Sequence, residues 1–422
     1  MALALQGIRV LDVTDAVAGP FSTMLLAVCG AEVIRVESRR HPGFRGEGTM
    51  RRVQGGPPSP PTPATRFDPA KADPNLMMSP GFIRFNLDKK SAALNLTKSE
   101  ARDLFKRMVK LSDIIVDNLS FGNMQQWGLT YDTLSQIKND IIVVSMPSLG
   151  NGPHERWTTW GQNLLSFTGF AYNWGHPNTP MEGRPASNYY GDYIAGTKTA
   201  SAVLAALYHR AKTGEGQYIE VSQTEATASL LGPIFLDYFV NNRVSQPRGN
   251  RHPQFAPYNS YPCKGDDRWC VIAVFNEDEW QQLCTALGSP NWAQDPKFQN
   301  MEARLQNVDE LDENIGKWTR QYTPHQVMKI LQSGGIAAGA VQNNEDLYFD
   351  LQLRARGHTV EIDTGLNGVI TFDGPPIHLT DGQKTQTECA PVLGAQNDYV
   401  YKQLLGLDQE KINELIKSQV IF

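Results

Sequence analysis

One carboxylate stands apart in this sequence. In the stretch from Ser187 to Ala226, SNYYGDYIAGTKTASAVLAALYHRAKTGEGQYIEVSQTEA, Asp192 follows a glycine and precedes a long alanine- and leucine-rich run. The apolar positions Ala202, Val203, Ala206 and Leu207 recur there at helical spacing, which predicts a helix beginning close to Asp192. Unpaired N–H groups and the positive end of the helix dipole favour negative charge at such a place and hold a carboxylate ionised. An ionised, positioned carboxylate is a nucleophile. Simple N-capping by Asp is the competing reading. No second chemistry is visible: the five cysteines (Cys29, Cys263, Cys270, Cys284, Cys389) are scattered without CxxC spacing, as suits reduced thiols, and the eight histidines form no ligand motif. No metal is therefore expected.

The elements that must position Asp192 are those of an α/β protein. Residues 8–13 form a β-branched strand candidate, 21–28 an apolar helix candidate and 32–36 a second strand candidate, with Ala18-Gly19-Pro20 at the first turn. This β-α-β unit is Rossmann-like but lacks GxGxxG, so neither nicotinamide nor flavin is inferred. Thr97 and Glu100 read as a capping box that opens a helix with Ala101, Leu104, Phe105, Met108 and Leu111 on one face. Short runs at 114–116 and 141–144 continue the strand–helix alternation of a doubly wound parallel sheet. Residues 46–80 are rich in Pro and Gly and read as a long loop that could border a pocket or a partner. Trp157, Trp160, Phe167, Phe170, Tyr172 and Trp174 crowd a short span; such density is more often core, but it would also suit a pocket for a bulky or aromatic acyl group.

At 422 residues the chain is long for a single core, and its 41% hydrophobic content is enough to fill two domains. Acidic residues outnumber basic ones, 44 to 39, for a net charge of −5, which excludes the basic footprint of a nucleic-acid binder. The opening MALALQGIRV has no long apolar signal segment and no run approaches a membrane span, so the expectation is a cytoplasmic protein with no membrane partner.

The block GDYIAGTKTASAVLAALYHRAKTGEGQYIEVSQTEA resembles the central signature of the family III CoA-transferases, a group that includes formyl-CoA, carnitine and phenyllactate CoA-transferases and the α-methylacyl-CoA racemases. The signature's Asp, Ala-Ala-Leu, Arg, Thr-Gly-x-Gly-Gln turn and strand fall on Asp192, Ala205 to Leu207, Arg210, Thr213 to Gln217 and residues 219–221. The opening LQGIRVLDVTDAVAGPFSTMLLAVCGAEVIRVE is similar to the family's first block, and further similarity begins at GNRHPQFAPYNSYP and ends at APVLGAQN. The resemblance implies a large Rossmann-like domain built from both chain ends (1–212 and 336–422), linkers at 213–245 and 321–335, and a smaller α+β domain at 246–320. It also implies an interlocked-ring dimer, either a homodimer or a heterodimer with a paralogous subunit.

It further implies substrates that are CoA thioesters, with no permanently bound cofactor. Asp192 becomes the nucleophile. Val17, Ala18, Asn118 and Leu119 line the CoA site, and Arg39, Arg40 (with Arg35), Asn86, Lys89 and Lys90 lie near the nucleotide phosphates. The sequence departs from the family where Ser120 and Gln126 replace arginines, and where the glycine-rich lid of formyl-CoA transferases is absent. Trp160 and Gly161 occupy the positions of the racemases' His-Asp pair and offer no proton-transfer group, which argues against racemisation. The remaining alternative is a noncatalytic CoA-binding subunit. For the transferase, succinyl-CoA is the first donor to consider, and the aromatic cluster points to a bulky or aryl-substituted acceptor acid such as benzylsuccinate.

Overall fold

A computed structural model describes residues 3–39, 43–45, 79–177, 189–364, 369–374, 376–380 and 387–422. They divide into two compact units. The first draws on residues within 1–170, 186–239 and 354–422, the second on residues within 171–185 and 240–353.

The first unit is built on a six-stranded sheet: β1 (Arg9–Val13), β2 (Glu32–Glu37), β3 (Lys90–Ala93), β4 (Ile114–Asp117), β5 (Ile142–Ser145) and β6 (Tyr218–Glu220), in the order β3-β2-β1-β4-β5-β6 and parallel throughout. Successive side chains of a strand face opposite sides. Leu11, Val13, Ile34 and Ile115 accordingly enter one core with helix α3 (Ser99–Lys110), while Val10, Val33, Ile114 and Val144 enter another with helix α1 (Ala18–Val28) and the helix Tyr190–Thr213. The strand order reverses between β1 and β4. At such a switch point the loops leaving the carboxyl ends of the two strands diverge and open a crevice for ligands.

Both chain ends build this unit. Val400, Tyr401, Leu405, Ile412, Leu415, Val420 and Ile421 complete the core beside α3, and Ile421 bridges Leu94. The expected linker 213–245 carries β6, which extends the sheet, and a helix Gly232–Asn241 with none of its residues buried. An antiparallel hairpin of β10 (Thr359–Asp363) and β11 (Val369–Asp373) packs with the short helix α2 (Pro80–Phe85).

The second unit holds the antiparallel sheet β7 (Tyr258–Pro262), β8 (Trp269–Ala273) and β9 (Ala337–Val341), with Trp280, Phe298, Ile315 and Leu331 in its core. Residues 337–341, expected in the large domain, belong here because β9 pairs with β8.

Three local expectations are corrected. Helix α3 is capped by Lys98 without a side-chain bond, because Thr97 turns its hydroxyl to Asn95 instead (2.6 Å). Leu111 lies at the helix end and is exposed, and Val109 takes its place in the core. Of the aromatic cluster, Trp157, Trp160, Phe167, Tyr172 and Trp174 are all exposed rather than core. The loop expected at 46–80 lies outside the described residues apart from its last two. Among the described residues no helix is long and apolar enough to cross a membrane.

Candidate active site

Asp192 occupies the first turn of the Tyr190–Thr213 helix, but the capping position belongs to Tyr189. The carboxylate therefore does not cap; it faces the loop between β1 and α1. Backbone N–H groups of Asp192 itself and of Ala18 hydrogen-bond it. Only 8% of the residue is exposed, and its Oδ2 is buried with no hydrogen-bond partner among the described residues. Burial is the dominant influence: it pushes the carboxyl up to about 6, against the pull of those N–H groups. The helix start alone was expected to favour the charged form, and desolvation outweighs it. Near neutral pH the group is still mostly ionised, and it is more basic than an ordinary aspartate.

Gly196 lets the two elements meet. A Cβ there would stand 2.8 Å from the Ala18 carbonyl oxygen and 2.9 Å from the Phe21 ring. The Gly196→Ala protein is expected to lose on the order of 10²-fold in kcat, because a displacement of the nucleophile by an ångström is enough to do so. Parallel kcat and melting measurements check this, and an unchanged kcat would contradict the close approach.

Val17 and Ala18, both buried, begin α1 at the switch point. Asn118, from the end of β4, clamps the same loop: its side-chain amide donates to Asp15 O and its side-chain oxygen accepts from Asp15 N–H, both at 2.7 Å. Ala16 in that loop has a positive φ of 59°. Leu119 packs against the core beside it. Asp192, Val17, Ala18 and Asn118 are thus brought together within one unit.

The basic candidates fall into two sets. Arg39 is exposed just past β2, and Lys90 lies 3.6 Å from Glu32 with its side chain 40% exposed. Arg40 lies outside the described residues. Lys89, Asn86 and Arg35 are interior. Lys89 Nζ donates to Asp12 Oδ2 (2.8 Å), Pro20 O (2.8 Å) and Asn86 Oδ1 (2.9 Å), which occupies all three of its donors. Asn86 also donates to Phe82 O (2.9 Å), and Arg35 lies 3.1 Å from Glu37 and 4.0 Å from Asp12. These side chains lie beneath the loop and hold it from inside.

Burial pushes the Asp12 carboxyl up, but Lys89 and Arg35 together outweigh that and hold it down at about 2. Burial likewise pushes Lys89 down to about 8 against the pull of Asp12. Thr14 and Thr23 donate to the same carboxylate. Alongside, Glu37 is held below the usual carboxylate range: burial raises it, but Arg45 and Arg35 prevail, and Arg45 reaches on to Pro391 O (2.7 Å). Sequence reasoning missed this cluster. The signal was Asp12 itself, a charged residue inside the β-branched run of β1 that had to find a partner once buried.

A crevice of about 280 Å³ opens at the carboxyl ends of β4, β5 and β6, lined by Asp117, Leu119, Ser120 and Tyr218 among others. Burial pushes the Asp117 carboxyl up to about 6, opposed by bonds from the Leu119 N–H and the Ser145 hydroxyl. A second cavity of about 200 Å³ lies beside α1, walled by Phe21, Met24, Phe85 and Tyr193 among others. Among the described residues no three His, Cys, Asp or Glu side chains are grouped to hold a metal.

The sequence profile of CoA-transferase family III matches residues 5–397. The succinyl-CoA:mesaconate CoA-transferase of Haloarcula marismortui is 29% identical over 92% of this chain and 93% of its own length. The succinyl-CoA–D-citramalate CoA-transferase of Chloroflexus aurantiacus is 28% identical over 99% of this chain and 98% of its own. A probable CoA-transferase of Mycobacterium tuberculosis is 29% identical over 99% of this chain, which spans 50% of that relative's length. Among solved structures, a CaiB/BaiF family protein from Brucella suis superposes with a TM-score of 0.80 at 25% identity, covering 96% of this chain and all of that one. On these grounds the chain belongs to CoA-transferase family III, whose enzymes act on CoA thioesters.

Proposed function

We propose that this protein moves CoA from a donor acyl-CoA to a carboxylic acid, with Asp192 as the covalent nucleophile. The observation that carries the reading is the buried carboxylate itself: it is held at the switch point by Ala18 and has one oxygen unpartnered. An Asp192 oxygen attacks the donor's thioester carbonyl and CoA thiolate leaves, giving a mixed anhydride. The thiolate then attacks the aspartyl carbon and expels the donor acid, which leaves an aspartyl-CoA thioester. The acceptor carboxylate attacks that thioester to form a second anhydride and free the thiolate, whose attack on the acceptor's acyl carbon yields the new acyl-CoA and restores Asp192. Every step exchanges one carboxylate or thiolate for another, so no proton is transferred. In this reading the Ala18 N–H, with backbone donors near Gly191 or the Gly150 loop, stabilises the tetrahedral oxyanions. Burial of Asp192 also keeps water from the anhydrides.

The CoA contacts of this reading are Val17, Ala18, Asn118 and Leu119 around the first turn and the end of β4, with Arg39, Arg40 and Lys90 as the phosphate ligands; Asn86 and Lys89 act by holding the turn from beneath. The names of the relatives support succinyl-CoA as donor. The acceptor is an aryl-substituted acid of the benzylsuccinate type. The enzyme is cytoplasmic and works as an interlocked homodimer or heterodimer. Phe235, Leu236, Tyr238 and Phe239, all more than half exposed on the Gly232–Asn241 helix, support a covering partner chain. A relative described as the beta subunit of a succinyl-CoA–L-malate CoA-transferase supports the heteromeric form.

Intact-mass analysis after incubation with succinyl-CoA and hydroxylamine tests the chemistry. A trapped adduct that maps to Asp192 is expected, together with a kcat/KM that rises with pH through about 6 as the carboxyl ionises. CoA binding without an adduct would favour the noncatalytic subunit instead.

A further inference from the structure

We infer that the cavity beside α1 receives a ring-sized apolar substituent of the acceptor acid, and that Arg84 at its rim takes the acid's second carboxylate. The inference rests on Asp192 being the nucleophile and adds the means of selecting the acid.

The cavity encloses about 200 Å³. An apolar cavity of roughly 150 Å³ is enough to hold benzene, so a phenyl group fits with room to spare. Phe21 and Met24 come from one face of α1, Phe85 from the end of α2, and Tyr193 from the residue after the nucleophile. Phe21 meets Tyr193 edge-on at 4.8 Å and Phe85 edge-on at 6.5 Å. That array offers ring edges and faces to an aryl guest, the arrangement aromatic rings prefer.

The cavity is close to the chemistry. Ala18, whose N–H holds Asp192, lies one helical turn from Phe21 on the same face of α1. Tyr193, next in sequence to Asp192, gives its ring to the same cavity that Arg84 and Asp373 line.

Arg84 Nη2 lies 2.9 Å from Asp373 at that rim, with the two side chains 49% and 41% exposed. A surface pair of this kind contributes little to stability, so Arg84 can exchange Asp373 for a substrate carboxylate at small cost. A reacting carboxylate at Asp192, a second carboxylate at Arg84 and a branching ring in the cavity describe an aryl-substituted dicarboxylic acid such as benzylsuccinate. The exposed tryptophans at positions 157 and 160, the first place to look in the sequence, are not needed for this recognition.

The test uses the full-length enzyme with succinyl-CoA as donor and 2-benzylsuccinate, glutarate and 3-phenylpropionate as competing acceptors, read as ratios of kcat/KM so that any loss of folded protein cancels. Met24→Trp fills the cavity and is expected to lower the benzylsuccinate-to-glutarate ratio on the order of tenfold or more. Met24→Phe is the smaller intrusion should the tryptophan prevent folding. Arg84→Gln is expected to lower the benzylsuccinate-to-phenylpropionate ratio by about 10- to 100-fold. Either ratio staying within about twofold of the natural enzyme would overturn the inference. An Asp192 adduct in a wild-type enzyme that uses no aryl acid would remove the cavity assignment and leave the transferase standing. Absence of the adduct would remove both.

Discussion

The Asp192→Asn protein is expected to have lost CoA transfer and, at pH 8, to be more stable than the natural protein. The carboxyl is raised from 3.8 to about 6 because the fold buries it without a full set of partners. A group whose folded pKa is raised lends its stability below the unfolded value and withdraws it as pH climbs through the folded one. Above pH 6 the charged Asp192 is therefore a net cost of about 3 kcal/mol. Asparagine keeps the shape and removes the charge. The gain should appear in thermal melts at pH 8, shrink through pH 6 and be gone below pH 4. Turnover should fall on the order of 10⁴-fold or more, since an amide cannot form the anhydride. A variant no more stable than wild type at pH 8 would mean that Asp192 is better solvated than its burial indicates.

Lys89→Met should act in the opposite direction and through the fold. It strips the buried Asp12 carboxylate of its closest cation and leaves Pro20 O and Asn86 without the ammonium. Breaking a buried pair by removing one partner costs about 3–5 kcal/mol. Asp12, held at about 2, lends its stability above its unfolded pKa near 3.8 and loses it as pH falls through 2. The variant should therefore unfold in acid at a higher pH than the natural protein. The double change Asp12→Asn with Lys89→Met should recover part of the loss, which a double-mutant cycle of chemical melts would measure. Were Lys89 a phosphate ligand alone, the melting point would hold and only KM for the CoA thioester would rise.

That contrast shows what the sequence could and could not disclose. The first β-α-β unit and the alternation after it were legible because short continuous β-branched runs, buried on both faces of a parallel sheet, alternate with helical-period segments. Asp192 was legible as a site residue because two distant blocks framed it, although its ionisation was not: a helix start is visible in one dimension, but burial depends on what packs on top. Lys89 and Arg35 look the same in sequence whether they point into water or at Asp12. The aromatic span from Trp157 to Trp174 failed for a related reason, since density of rings signals burial only where something covers them, and the described residues of the chain do not. The residues that wall the cavity come from α1, α2, the Tyr190–Thr213 helix and the end of β11, none aromatic-rich enough to stand out.

The first unit also imposes an order on biosynthesis. Its sheet begins with β1, yet Tyr401 and Ile421 are needed to cover Phe105 and Leu94 on the face beside α3. At about 5–20 residues per second, a nascent chain leaves that face bare for tens of seconds after β4 emerges. The apolar surface exposed in that interval leaves the first half of the unit open to aggregation until residues 400–421 have been made to cover it.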